Sequence, residues 1–437
     1  MQKHLIWITG GLLTAPYLIA QTSKPNVIVI YTDDQGTLDM GAYGAPDLYT
    51  PNMDKLAAQG VRFSQFYAAP VSSVSRACLL TGQFAKRAGV INNVGTDGLP
   101  LAKETIAERL KANGYSTALI GKWHLGSAIE NGPNVQGFDY FWGFRGGCVD
   151  NYSHFFYWNG PNMHDLWRNE REIFRPGRFF CEESMHEMKS FITDNKHKPF
   201  FVYWAVNMPH YPLQPSEKWL EYYAGLPNPR RMYAAFLSTF DDYLGELHGF
   251  LAAEGLDKNT ILIFQSDNGH SMEVRTFGGG GYCGPYRAAK FSLFEGGIRV
   301  PAIISWPGKL PEGESREQLA MNVDWFPTIV ELCGLSDENM DVDGQSLLPV
   351  ILHNRETRHK ELHFDYGKQW AVRSGDWKLI ANPVDIKEND YRKVLDGEFF
   401  LTNIKTDHTE QSDLSSQYPE KVKELMMLRD HYLETVK

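Results

Sequence analysis

Hydrophobic residues are laid out along this chain in two rhythms. Short apolar, β-branched runs recur at Asn26–Tyr31, Gly114–Ile120, Pro199–Val206, Thr260–Gln265 and Val300–Trp306, with no regular polar alternation. Runs of this kind read as strands buried on both faces, the habit of a parallel sheet covered by helices. Between them the period widens. Thr50 to Gly60 opens on Thr50 as an expected N-cap with Pro51 at the first helical position and closes on Gly60, which predicts a helix. Ser72 to Gly82 opens on small polar residues, continues apolar at helical spacing and ends at Gly, which predicts another. Further helices are expected over Glu104–Asn113, Glu182–Asp194, Arg231–Ala253 and Asp324–Cys333. The longest sets Tyr233, Leu237, Phe240, Leu244 and Leu247 on one face. Strands alternating with helices predict an α/β fold around a large, mostly parallel sheet.

Two regions break the rhythm. From Gly132 to Arg178 the chain is rich in Gly, Asn and aromatic residues without a clean period, and reads as a long structured insertion. From about Arg355 the pattern becomes antiparallel: a hairpin over Trp370–Ile380 turning at Ser374–Asp376, a strand at Phe399–Asn403, and a helix over Pro419–Val436. The expected division is 1–20 as a leader, 21–354 as the main α/β unit and 355–437 as a smaller α+β unit.

The chemistry-bearing residues sit where the apolar runs stop. The first run ends in Thr32-Asp33-Asp34-Gln35-Gly36, and the Thr260 run ends in Ser266-Asp267-Asn268-Gly269-His270. Open α/β sheets place ligands beyond the carboxyl ends of their strands. If these two ends are neighbours, Asp33, Asp34, Asp267 and Asn268 surround one point. A set of oxygen donors suits Ca²⁺ or Mg²⁺ better than Zn²⁺. The Gly114–Ile120 run leads into Gly121-Lys122-Trp123-His124-Leu125-Gly126, where Lys122 and His124 share one side of an extended backbone. Such a pair can hold a tetrahedral anion. Ser72 lies near the amino end of its helix, where free N–H groups favour anionic chemistry.

Taken together, these segments resemble the sulfatase family. Ser72 to Gly82 is similar to the signature Cys/Ser-x-Pro-x-Arg-x-x-x-Leu-Thr-Gly, with Arg76 as its Arg and Val74 where Pro or Ala is usual. Thr50–Asp54, the Gly121–Gly126 block, Asn207-Met208-Pro209-His210 and the run from Lys290 through Glu295-Gly296-Gly297 to Pro301 follow in the family's order. The resemblance implies an alkaline-phosphatase-like sandwich with a small C-terminal antiparallel sheet and helix. It implies Ca²⁺ rather than Mg²⁺, held by Asp33, Asp34, Asp267, Asn268 and residue 72. It further implies that Ser72 is oxidised to formylglycine by a maturation enzyme, of the kind found in anaerobic bacteria. Catalysis falls to Ser72, Arg76, His124 and His210, with Lys122, Lys290 and His210 on the sulfate. Arg145, His154 and His270 are expected to read a sugar, with Asp150, Asn151, His164, Arg168, Glu273 and Arg275 as further polar candidates near the insertion and a Gly278–Gly281 lid.

Composition narrows the partners. The chain has 437 residues, is 43% hydrophobic and carries a net charge of −10, which offers no general attraction to nucleic acid. Lys3 and His4, the apolar stretch Leu5–Ile19 and Ala20 read as a secretory leader, too short and interrupted for a stable membrane span, with an uncleaved anchor as the alternative. The product is expected to be exported. The five cysteines lack metal-ligand spacing. The reading is therefore an exo-acting hydrolase of sulfated carbohydrate, of galactose or N-acetylgalactosamine sulfate. The alternatives are a phosphate-ester hydrolase using unmodified Ser72, a non-catalytic sulfoglycan-binding protein, and a lipid-headgroup or phosphonate enzyme.

Overall fold

The computed structural model describes residues 24–156, 162–276, 278–387 and 390–436. The expected leader and the aromatic pair Tyr157 and Trp158 lie outside the described residues. A ten-stranded sheet runs from Glu314–Arg316 at one edge through Val61–Phe63, Ala302–Ser305, Thr260–Ser266, Asn26–Asp33, Phe200–Pro209, Ser116–Lys122 and Tyr140–Phe144 to Trp167–Arg168 and Arg171–Glu172. Its five central strands, Thr260–Ser266 to Tyr140–Phe144, are mutually parallel.

Two-sided burial explains why those runs show no alternation. Along Asn26–Asp33, Val27, Val29 and Tyr31 enter one core while Ile28 and Ile30 enter the other. Phe201, Tyr203 and Ala205 divide from Val202 and Trp204 in the same way. Each such side chain contributes about 1.5–3 kcal/mol by leaving water. One layer is closed by the helix Arg230–Ala253, which buries Tyr233, Leu237, Phe240, Leu244 and Leu247. On the other face lies the helix Ser72–Thr81, all ten residues of which are buried. It is enclosed on every side, so the protein holds Ser72 with a rigid rod rather than a loop. Gly82 ends that rod in the left-handed conformation, φ 66°.

A separate antiparallel sheet of Leu362–Tyr366, Gln369–Ser374, Trp377–Ala381 and Phe399–Asn403 packs under the helix Pro419–Thr435. Val372, Leu379, Leu401 and Leu425 form its core.

Three expectations need correction. The insertion is partly strand: Tyr140–Phe144, Trp167–Arg168 and Arg171–Glu172 complete one edge of the main sheet. Two-residue strands are too short to leave a period. The helix Pro51–Ala58 is not capped by Thr50; the Asp241 carboxylate accepts from the N–H groups of Asn52 at 3.0 Å and Met53 at 2.8 Å. The glycine run is packed rather than a free lid. A Cβ on Gly281 would stand 2.2 Å from the Cβ of His270, and the Gly280 carbonyl accepts from Arg230. All five cysteines are free, four of them buried. No helix among the described residues is long and apolar enough to cross a membrane.

Candidate active site

Pairing of Asn26–Asp33 with Thr260–Ser266 sets Thr32 opposite Ser266, so both strands stop at one level. The residues beyond them converge. The Asp34 N–H donates to Asp267 Oδ1 at 3.1 Å, and Asn268 Nδ2 donates to Asp34 Oδ1 at 2.7 Å. Ser72, first residue of its helix, donates to Asp267 Oδ2 at 2.5 Å and stands 3.0 Å from Asp33 Oδ1.

Cations close around these carboxylates. Lys122 Nζ lies 2.7 Å from Asp33 Oδ2 and 3.1 Å from Ser72 Oγ. Lys290 Nζ lies 2.8 Å from Asp34 Oδ1. The Arg76 guanidinium pairs with Asp267 at 2.9 Å and donates to the Tyr203 hydroxyl at 3.2 Å. Asp33, Asp34, Asp267, Asn268, Arg76 and Lys122 are all between 0% and 2% exposed. Burial raises every carboxylate pKa, and the outcome depends on neighbours. Asp34 is pushed up to about 7 by burial and by Asp33 and Asp267, although Lys290 opposes this. Asp33 ends below the usual range despite its burial, because Lys122, Arg76 and Lys290 face it. Burial and the surrounding positive charges hold His124 and His210 well below the ordinary histidine value.

The donor set fits a hard divalent cation. Three carboxylates crowd together at a cost that a cation would relieve, and the buried Asn268 Oδ1 has no hydrogen-bond partner. Asp33, Asp34 and His210 also offer ligand atoms within 4.8 Å of one another. Four residues here hold left-handed backbone without being glycine: Asp34 at φ 65°, His124 at 54°, Ala288 at 65° and Phe291 at 77°. Such strain costs of order 1–3 kcal/mol per residue and persists where surrounding structure enforces it.

A cavity of about 780 Å³ opens onto this floor, with Ser72, His124, His210 and Lys290 in its lining. Gly147 leaves room for one of them, since a Cβ there would meet His124 Nε2 at 3.0 Å. Of the sugar-reading candidates, Arg145, His164, Glu273 and Arg275 line the cavity. His154 does not; its ring packs among those of His164 and Phe180. His270 is buried beneath the glycine run instead. Asp150 accepts from Gln214, Asn151 pairs with Gln214 and Asn207, and Arg168 pairs with Glu187. Arg168 belongs to a second concavity of about 730 Å³ over residues 168–175, which contains none of the floor groups. The cavity wall also includes Trp167, one of the insertion's aromatic rings expected near a sugar, and Tyr211, Phe291, Tyr366 and Arg392, which no sequence signal singled out for this site. Only tertiary docking brings Tyr366 and Arg392 here; no local motif marks them.

A family model described as Sulfatase matches residues 25–335, and one described as N-sulphoglucosamine sulphohydrolase, C-terminal, matches residues 288–427. The chain is 34% identical over 386 residues to N-acetylgalactosamine-6-sulfatase of Sus scrofa, covering 81% of this chain and 71% of that protein. It is 31% identical over 466 residues to arylsulfatase J of Mus musculus, covering 95% and 77%. Among solved structures it is similar to Ps i-CgsB in complex with k-i-k-neocarrahexaose, with a TM-score of 0.83, 29% identity, and 95% and 94% of the two chains covered.

Proposed function

The chain belongs to the sulfatase family and is a sulfuric ester hydrolase; we propose that it acts on carbohydrate sulfates, removing sulfate from galactose or N-acetylgalactosamine sulfate in exo fashion, through an oxidised residue 72 and a Ca²⁺ ion. The observation that carries this reading is the position of Ser72 Oγ. It sits at the cavity floor within 3.1 Å of Asp33, Asp267 and Lys122 at once, on the first residue of a buried helix.

Asp33, Asp34, Asp267 and Asn268 would hold the cation together with residue 72, and bound Ca²⁺ would polarise a sulfate oxygen. As a hydrated aldehyde, residue 72 would offer one hydroxyl to attack sulfur and a second whose proton loss lets sulfate depart as the aldehyde re-forms. The remaining work belongs to side chains of this chain. Lys122 holds the residue-72 oxygen, and Arg76 and Lys122 together offset the negative charge of Asp33 and Asp267. Lys290 faces the cavity from the opposite carboxylate, Asp34, and is placed for a sulfate oxygen. Fixed cations in a dry site stabilise charge as it develops, without reorganising. His210, 3.7 Å from Asp34, is placed to give a proton to the departing sugar oxygen, and His124 to accept the one released from residue 72.

Ser72 is 1% exposed, which supports an oxidation by the maturation enzyme that precedes folding. The test is peptide mass spectrometry on protein from the native host, followed by a panel of sulfated monosaccharides. A Ser72 peptide lighter by two hydrogens, or heavier by one oxygen as the hydrate, with sulfate released from a galactose-type sugar, is the expected result. An unmodified serine with turnover of phosphate esters would replace this reading with a serine phosphohydrolase. Turnover of 4-nitrophenyl sulfate with none of the sugars would remove the glycan assignment.

A further inference from the structure

Three arginines from distant parts of the chain line the cavity above the sulfate-facing floor, and each lies against an aromatic ring. The Arg145 guanidinium carbon is 4.1 Å from the Trp167 ring centre, that of Arg275 is 5.3 Å from Tyr211, and that of Arg392 is 4.8 Å from Phe291. A guanidinium laid on a ring is fixed in orientation while its N–H edge stays available for a planar or tetrahedral anion. Arg145 is the least satisfied of the three. It is 3% exposed, its Nε has no partner, and one terminal nitrogen reaches only the Asn169 carbonyl, at 3.3 Å. A buried guanidinium without a carboxylate partner is costly unless an anion arrives to pair with it.

Two acids share this wall, Asp165 and Glu273. Asp165 accepts from the N–H groups of Arg145 and Gly146 and from the Trp167 indole. Glu273 accepts from the Ser271 hydroxyl at 3.2 Å and faces Arg275 at 3.5 Å. Arg392 donates to the neutral Tyr366 hydroxyl at 3.2 Å. Three guanidinium groups against two carboxylates leave the upper cavity with an excess of positive charge, in a protein whose net charge is −10. This charge is separate from Lys122 and Lys290, which already lie against Asp33 and Asp34.

We propose that this arginine wall binds a second anionic group of the substrate, so that the preferred ester is a multiply charged sulfated oligosaccharide rather than a sugar whose only charge is the departing sulfate. The inference rests on the carbohydrate-sulfatase reading above. The second anion is a hexuronate carboxylate or a further sulfate ester, since both present paired oxygens to a guanidinium.

The test compares kcat/KM for three N-acetylgalactosamine sulfate disaccharides that differ in the neighbouring sugar: neutral galactose, glucuronate, or sulfated galactose. At least one charged probe is expected to exceed the neutral one by about tenfold or more, the scale of one charge-assisted hydrogen bond. A glucuronate advantage assigns the carboxylate; a sulfated-galactose advantage assigns the second sulfate. Arg145→Gln, Arg275→Gln and Arg392→Gln are then read by the charged-to-neutral ratio. At least one is expected to bring that ratio close to one, with the matching Lys variant recovering part of it. A purely structural arginine would lower both rates together and leave the ratio intact. Equal kcat/KM for all three probes, or a ratio unmoved by every substitution, overturns the inference alone. Turnover of 4-nitrophenyl sulfate with none of the disaccharides overturns the sugar reading and the inference with it.

Discussion

At the strand ends, Asp33, Asp34 and Asp267 face Arg76, Lys122 and Lys290; where the C-terminal sheet meets the main body, Glu295 and Glu410 face Lys378, with Arg299 and Arg373 beside them. Both clusters are buried, both mix three or more ionic side chains, and both unite segments far apart in sequence. They differ in access to solvent: Glu410 Oε1 at the junction has no hydrogen bond beyond its ion pair with Lys378, yet it is sealed in. At the junction Lys378 Nζ pairs with Glu295 Oε1 at 2.8 Å and with Glu410 Oε1 at 2.7 Å. Glu295 Oε2 takes Arg299 at 3.2 Å and the Tyr67 hydroxyl at 2.7 Å, and Glu410 Oε2 accepts the Glu295 N–H at 2.6 Å. Lys378, Glu295 and Glu410 are each 0% exposed. At the strand ends, Asn268 Oδ1, Arg76 Nε and His124 Nδ1 lack partners, the backbone is strained, and a cavity opens overhead. Burial and charge are therefore common to framework and site. Spare bonding capacity beside a route to solvent is what separates them.

The largest expected effect tests the strand-end cluster. Ser72→Ala removes the oxygen that would attack sulfur, and sulfate release is expected to fall by a factor on the order of 10⁴ or more. Thermal unfolding is expected to move little, because the helix keeps its packing. A chelator is expected to stop turnover in the wild-type protein, and added Ca²⁺ to restore it. Near-normal rates in Ser72→Ala, or full activity in chelator, would break the contrast by making the strand ends mere framework.

The second test reverses the readout. Lys378→Met leaves Glu295 and Glu410 buried without the cation they share, and removing one partner of a buried ionic set costs about 3–5 kcal/mol. For a chain of this length, whose unfolding entropy is about 0.9 kcal/mol per degree, a fall in Tm of about 3–5 °C is expected. The kcat/KM of the surviving folded protein is expected to stay within a few-fold. Loss of activity without loss of stability would mean that the junction positions Lys290, which lies on the segment leading to Glu295.

What the sequence disclosed follows the same division. Central strands were legible because burial on both faces leaves an unbroken apolar run, and Asp33, Asp34, Lys122, His210, Asp267 and Asn268 stand next to such runs. The edge strands at Trp167 and Arg171 were not legible, since two residues carry no period. Lys378, on a strand of the C-terminal sheet, and Glu410, in the loop after Phe399–Asn403, meet Glu295 only through tertiary docking. Arg392 reaches the cavity for the same reason, from a polar hairpin with nothing local to mark it. His154 and His270 show the opposite failure: residue type and neighbourhood suggested a sugar contact, whereas backbone geometry turned both rings into packed interior.

The finest distinction between the clusters is electrostatic. At the junction Glu410 is pushed up to about 7 by burial and by Glu295, even though Lys378 pulls it down, while Glu295, held by Lys378, Arg373 and Arg299, is drawn down to about 2 against its burial. An acid whose folded pKa lies above its unfolded value, about 4.3, binds its proton more tightly in the native state. Its contribution to stability is complete below the unfolded value and is lost as pH rises through about 7. Glu410→Gln resembles the protonated acid permanently and removes that dependence. Measured by urea unfolding, the variant is expected to gain on the wild-type protein by about 1–2 kcal/mol between pH 5 and pH 8. Because the Asp34 cluster titrates in both proteins alike, the difference between them isolates the junction. A difference that stays flat across that interval would show that Lys378 alone keeps both glutamates ionised, and that the framework cluster carries no shared proton.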